Sequence, residues 1–108
     1  MTEDRFHVSY EALDTACKKW GVERVMLFGS VLRDDFSAAS DIDLLVQFKP
    51  GTIHSLFKHD EMLQDFRTAF DREIDLVNYE GVLASRNERR KQHILSSARE
   101  FYVVRPQS

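Results

Sequence analysis

Cysteine is scarce: Cys17 is the sole one among 108 residues, so no intramolecular disulfide can staple the chain. Its place in a helical pattern makes it a small buried apolar residue rather than a reactive thiol. That suits a reducing compartment, and the cytoplasm is the expected location. No apolar run approaches the roughly 20 residues that a membrane-spanning helix needs. The opening MTEDRFHVSYEA lacks the basic start and apolar stretch of a secretory leader, so a soluble protein without a membrane partner is expected. Neither sign of charge dominates. Fifteen basic against 18 acidic residues leave a net charge of −3, which gives no overall pull toward a phosphate backbone, and no nucleic-acid partner is expected. Repeats, low-complexity tracts and linkers are missing too, and a chain of this length with 43% hydrophobic residues supports one core and not two. The expectation is a single domain over residues 1–108.

What is present alternates helix with strand. Ser9 can cap a helix through Leu13, Ala16 and Cys17 to Trp20, with Lys18 and Lys19 in its last turn and Gly21 as its stop. Val25 to Phe28 form a short apolar run closed by Gly29, too short for a helix and suited to a buried strand. Ser30 to Arg33 can make one or two helical turns before the loop DDFSAAS. A second strand, Asp41 to Phe48, ends at Lys49, Pro50 and Gly51. The spacing of Leu56, Met62, Leu63, Phe66 and Phe70 predicts an amphipathic helix over 54–70. Residues 73–78, EIDLVN, read as a third strand, followed by a polar, basic helix over 87–98 and a terminal apolar stretch, FYVV. This pattern predicts an α+β domain with a small mixed sheet and helices packed mainly on one face.

The chemistry concentrates in LFGSVLRDDFSAASDIDLLVQF, residues 27–48. Successive strand residues alternate between faces, so Asp41 and Asp43 share one face while Ile42, Leu44 and Val46 point to the core. Two carboxylates fixed so close repel unless a cation neutralises them. Oxygen ligands of this kind suit a hard ion such as Mg²⁺, which takes carboxylates, water and substrate phosphates. Asp75 interrupts Ile74 and Leu76 in the third strand and converges on the pair if the two strands are neighbours. Three carboxylates can hold two metal ions at about 3.5–4 Å, the spacing that stabilises both oxygens of an in-line phosphoryl displacement. A strand ending in glycine and turning into a helix exposes N–H groups to an anion, so Gly29 and Ser30 form a candidate phosphate cradle. Arg33, one turn on, could reach the same anion or could pair with Asp34 or Asp35. Taken alone, Asp41 and Asp43 could equally be an exposed strand start whose acids cap a loop.

The run GSVLRDDFSAASDIDLLV resembles the signature of the minimal nucleotidyltransferases of the DNA polymerase β-like nucleotidyltransferase superfamily: Gly-Ser, ten residues, then Asp-x-Asp. DREIDLVN is similar to the strand that carries that family's third carboxylate, and SSAREFYVV to the way such small domains end. Val31, Leu32 and Asp34 depart from residues frequent in that loop. The resemblance implies the nucleotidyltransferase fold and transfer of a nucleoside monophosphate from a nucleoside triphosphate, ATP being the expected substrate, with release of pyrophosphate. It also implies an antitoxin that silences a HEPN-type ribonuclease toxin by adding AMP to a tyrosine. Under it, Asp41 and Asp43 bridge two Mg²⁺ ions, and Asp75 binds the ion that carries the acceptor hydroxyl and takes its proton. Gly29 and Ser30 hold the β and γ phosphates, with Ser40 a further candidate and Arg33 beside them.

Other readings stay open. The domain could bind nucleotide and block a toxin by occupancy alone, or transfer to an RNA end or a small-molecule alcohol. Homo- or hetero-oligomers are both compatible with the sequence. His54 and His59 lie five apart and do not share a helix face, which argues against a metal pair. Arg86, Arg89, Arg90 and Lys91 read as a solvated helix face, although a basic face could also dock an acidic partner or RNA, and the Arg86 and His93 spacing found in HEPN ribonucleases reads as coincidence.

Overall fold

Ser9 starts the first helix by accepting a hydrogen bond from the Ala12 N–H at 3.2 Å, satisfying one of the orphan donors of the first turn. The helix, α1, spans Tyr10–Trp20 and stops at Gly21, whose left-handed φ of 73° lets its N–H close on the Cys17 carbonyl. Glu11 and the pair Lys18 and Lys19 sit at the ends that the helix dipole favours. The computed structural model describes residues 6–34, 36, 37, 40–51 and 58–104. Asp35 as a partner for Arg33, and the expected helix start with His54 and Leu56, lie outside the described residues.

After α1 come β1 (Val22–Phe28), a 3-10 turn (Gly29–Leu32), β2 (Ile42–Phe48), α2 (His59–Phe70), β3 (Ile74–Asn78), α3 (Tyr79–Leu83), α4 (Glu88–Ser97) and β4 (Arg99–Val103). β1 begins three residues earlier than the apolar run suggests, because Val22 and Arg24 pair with Phe48 and Gln47 of β2. α3 is an addition to the expected elements, capped by the Asn78 side chain, which accepts from the Glu80 N–H. The terminal apolar stretch becomes β4.

The four strands lie in the order β3-β2-β1-β4. β1 runs antiparallel to both neighbours, whereas β2 and β3 are parallel, so the sheet is mixed as expected. One consequence governs the site. The end of β1 and the starts of β2, β3 and β4 all meet at a single rim.

The larger core fills one face. There Leu13, Cys17 and Trp20 of α1 and Met62, Phe66 and Phe70 of α2 close over Val25, Leu27, Ile42, Leu44 and Val46. Burial pushes the Cys17 thiol up to about 12, which keeps it an inert apolar group. The two helices are tied by the Trp20 indole N–H donating to Asp65 at 2.7 Å and by the Ser9 N–H donating to the Ala69 carbonyl at 2.7 Å. A smaller cluster of Met26, Phe28, Leu45, Val82 and Ile94 lies apart from it, where α3 and α4 cover part of the other face. Leu45 is therefore buried although it alternates with the core-facing residues of β2. No helix among the described residues is long and apolar enough to cross a membrane.

Candidate active site

Gly29 ends β1 with φ 73°, a left-handed conformation that a Cβ would strain. The turn it opens is anchored by Val31, which is fully buried in the larger core. Burying a valine side chain supplies on the order of 1.5–3 kcal/mol toward holding the turn against the sheet. That explains the apolar residue at a position where the resembling family often has a charge. Downstream, the Phe36 N–H donates to the Arg33 carbonyl at 3.3 Å. The Phe36 ring lies edge-on to Phe6 with centroids 6.5 Å apart, and the Arg72 guanidinium sits 4.6 Å above it.

Asp43 of β2 stands opposite Phe28 of β1 on one side and opposite Asp75 of β3 on the other. Directly paired residues of neighbouring strands share a face, so Asp43 and Asp75 point to the same side of the sheet. The strands are neighbours, as the convergence of the acids required. Asp43 is half-buried and Asp75 exposed. Asp41, also exposed, sits one residue before β2, where the Ile42 N–H donates to the Glu73 carbonyl at 3.0 Å and holds the two strand starts together.

Gly29 and Asp43 are in direct contact. A Cβ built on Gly29 would overlap the Asp43 Oδ2 and lie 3.1 Å from its Cγ. The glycine thus makes room for the carboxylate, a tertiary reason that the linear sequence conceals. Ser30 occupies the second position of the same turn. Ser40 is committed to its own loop: its hydroxyl accepts from the Ser37 N–H at 3.1 Å, and its N–H donates to the Ser37 carbonyl at 3.0 Å. His59 opens α2 on an exposed position.

Among the described residues no three His, Cys, Asp or Glu side chains are gathered into a ready metal cage. The donor chemistry nonetheless fits Mg²⁺. That ion is held by one or two carboxylates with water and substrate phosphates, rather than by an all-protein cage, and the three aspartates offer oxygen ligands. Asp41, Asp43 and Asp75 are the residues that would hold it.

A group that the sequence reading missed lies beside Gly29. A concavity of about 470 Å³ is lined by Gly29, Leu32, Arg33, His93, Ser97 and Arg99. α4 runs directly into β4, and Arg99 pairs with Leu27 near the end of β1. This connection carries the C-terminal half of α4 to the Gly29 turn. The basic character of the helix is visible in the sequence, but the residues that face Gly29 come from its last turns and not from the arginine run at its start.

Residues 10–100 match the family described as nucleotidyltransferase domain. The chain is 33% identical over 64 residues to the "Putative protein adenylyltransferase MJ0435" of Methanocaldococcus jannaschii, covering 59% of this chain and 67% of that protein. A solved chain described as a "putative minimal nucleotidyltransferase" superposes with a TM-score of 0.62 at 30% identity, over 84% of this chain and 87% of that one. The fold is also that of a chain from the tri-AMPylated Shewanella oneidensis HEPN toxin in complex with MNT antitoxin, with a TM-score of 0.57, 19% identity and coverage of 96% and 74%. The Gly-Ser turn, the paired strand-start aspartates and these likenesses agree, and the chain belongs to the nucleotidyltransferase domain family as a nucleotidyltransferase.

Proposed function

We propose that this nucleotidyltransferase transfers AMP from ATP to a tyrosine hydroxyl of a protein partner, with Mg²⁺, and that the partner is a HEPN-type toxin which the modification neutralises. The observation that carries the reading is the rim itself. Asp43 and Asp75 are paired in register beside a glycine turn whose backbone can receive phosphate. A relative named as a protein adenylyltransferase and a like fold from an AMPylated HEPN toxin complex support the choice of acceptor.

In the reaction, the acceptor oxygen attacks the α-phosphorus, the bond to the bridging oxygen of the β-phosphate breaks, and pyrophosphate leaves. Mg²⁺, when bound, neutralises phosphate charge and makes the hydroxyl easier to deprotonate. Gly29 and Ser30 hold the departing phosphates through the turn backbone. Asp43, wedged against Gly29, keeps its carboxylate beside the triphosphate. Asp75, at the exposed side of the pair, accepts the proton of a tyrosine whose ordinary pKa of about 10 leaves it a poor nucleophile at neutral pH. The acids lie at an open edge of the sheet, accessible to a docking protein.

Binding tests the reading. Mg²⁺ with ATP should raise the thermal midpoint of the protein, because a ligand that binds only the folded state stabilises it by mass action. Asp43→Asn should abolish most of that shift while keeping the midpoint of the free protein. An Asp43→Asn variant that is stabilised by Mg-ATP as strongly as the parent would show the assignment to be wrong.

A further inference from the structure

The rim divides by charge about Gly29. Across the sheet, Asp75 and Asp43 stand on the β3 and β2 side, whereas Arg99 enters on the β4 side. Arg33, His93 and Arg99 line one concavity with Gly29, and no acid lines it among the described residues. Ser97 also lines it, its hydroxyl donating to the His93 carbonyl at 2.8 Å. Arg33, His93 and Arg99 are all exposed.

Resting on the nucleotidyltransferase reading, we infer that this concavity is the seat of the nucleotide's terminal diphosphate, with His93 and Arg99 as substrate-binding residues that grip the leaving pyrophosphate. The geometry sets the direction. The carboxylates on one side of Gly29 suit the metal-bound α-phosphate, and the opposite side holds the donors that match phosphate oxygens. Arg presents a fork that can take two phosphate oxygens at once, and His adds a donor at each ring nitrogen when protonated. The volume of about 470 Å³ accommodates a diphosphate, and the pocket opens directly from the Gly29 turn that begins the cradle. As the α–β bond breaks, negative charge grows on the pyrophosphate, so the same groups stabilise the transition state more than the ground state. A triphosphate should therefore be preferred to a mono- or diphosphate because of residues outside the Gly-Ser and Asp-x-Asp motifs.

Calorimetric titration of the parent, His93→Gln, Arg99→Gln and the double variant with Mg-ATP, AMP and inorganic pyrophosphate tests this. The double variant should bind Mg-ATP at least about tenfold more weakly, since each lost contact is charge-assisted, with AMP affinity and the thermal midpoint unchanged. Arg99→Lys should recover part of the loss. Pyrophosphate should compete with ATP on the parent and bind the double variant poorly. Pyrophosphate that binds the parent at saturating ATP would place a separate anion there and overturn the inference. A double variant that binds Mg-ATP as the parent does would overturn the pocket's role alone. A parent that binds no Mg-ATP would instead overturn the nucleotidyltransferase reading on which it rests.

Discussion

Replacing Gly29 by alanine separates the two demands made on that residue. The first is conformational: φ is 73°, where an L-residue costs about 1–2 kcal/mol. For a domain of this size that lowers Tm by roughly 4–16 °C. The second is steric and local to the site. The new Cβ overlaps the Asp43 Oδ2 and lies 3.1 Å from Cγ, so the carboxylate must swing away from the turn. A side chain can rotate at little expense to the fold, but the oxygen then leaves the place where a metal-bound phosphate would meet it. Losing one charged contact of that kind forfeits about 1.5–3 kcal/mol, a factor of roughly 10–150 in nucleotide affinity. Gly51 supplies the control. It has φ 82°, and among the described residues nothing lies within 4 Å of a Cβ built on it. Gly51→Ala should therefore show the same fall in Tm with Mg-ATP affinity intact. Thermal melts and calorimetric titration on both variants give the two numbers. Equal nucleotide affinity in parent and Gly29→Ala, or an equal loss of affinity in Gly51→Ala, would refute the reasoning.

The contact between α1 and β4 predicts the acid limb of stability. The Tyr102 hydroxyl donates to Asp14 at 2.5 Å and Lys18 pairs with it at 2.9 Å, and these hold the Asp14 carboxyl below its ordinary value of 3.8, the hydrogen bond from the tyrosine being the largest single cause. The folded state binds that proton less readily than the unfolded state does, so the stabilisation is present above the ordinary carboxylate range and lost as pH falls through it. Tyr102→Phe should flatten the fall of Tm on acidification to below pH 4. Lys18→Met should flatten it as well, and a steeper acid limb in either variant would contradict the assignment.

Local periodicity made much of the fold legible. α1 could be read from Ser9, the three- and four-residue spacing of Leu13, Ala16, Cys17 and Trp20, and Gly21, because each signal acts within one or two turns. Asp41 and Asp43 were legible as a pair because strand alternation is a local rule. Where β1 begins was not, since Glu23 and Arg24 hide a strand that only its pairing with β2 defines. α3 escaped for the same reason: YEGVL is too short and carries a glycine, and Val82 is held by the second cluster rather than by helix propensity. The burial of Leu45 on the face of the aspartates was not legible, because alternation cannot report that α3 and α4 cover part of that face. The contact of Gly29 with Asp43, and the arrival of His93 and Arg99 at the turn, depend on strand pairing between segments far apart in sequence. Such pairings leave no periodic trace.

Transfer of AMP to a partner is the central claim, and intact-mass measurement of that partner addresses it most directly. Incubated with this protein, Mg²⁺ and ATP, a HEPN-type partner should gain one or more AMP units on tyrosine and lose its ribonuclease activity. The same incubation with Asp75→Asn should add almost none, because the exposed carboxylate proposed to receive the hydroxyl proton is gone while the strand pairing that places it remains. A partner that stays unmodified yet is neutralised equally well by the parent and by Asp75→Asn would contradict the account and leave a domain that acts by occupancy alone.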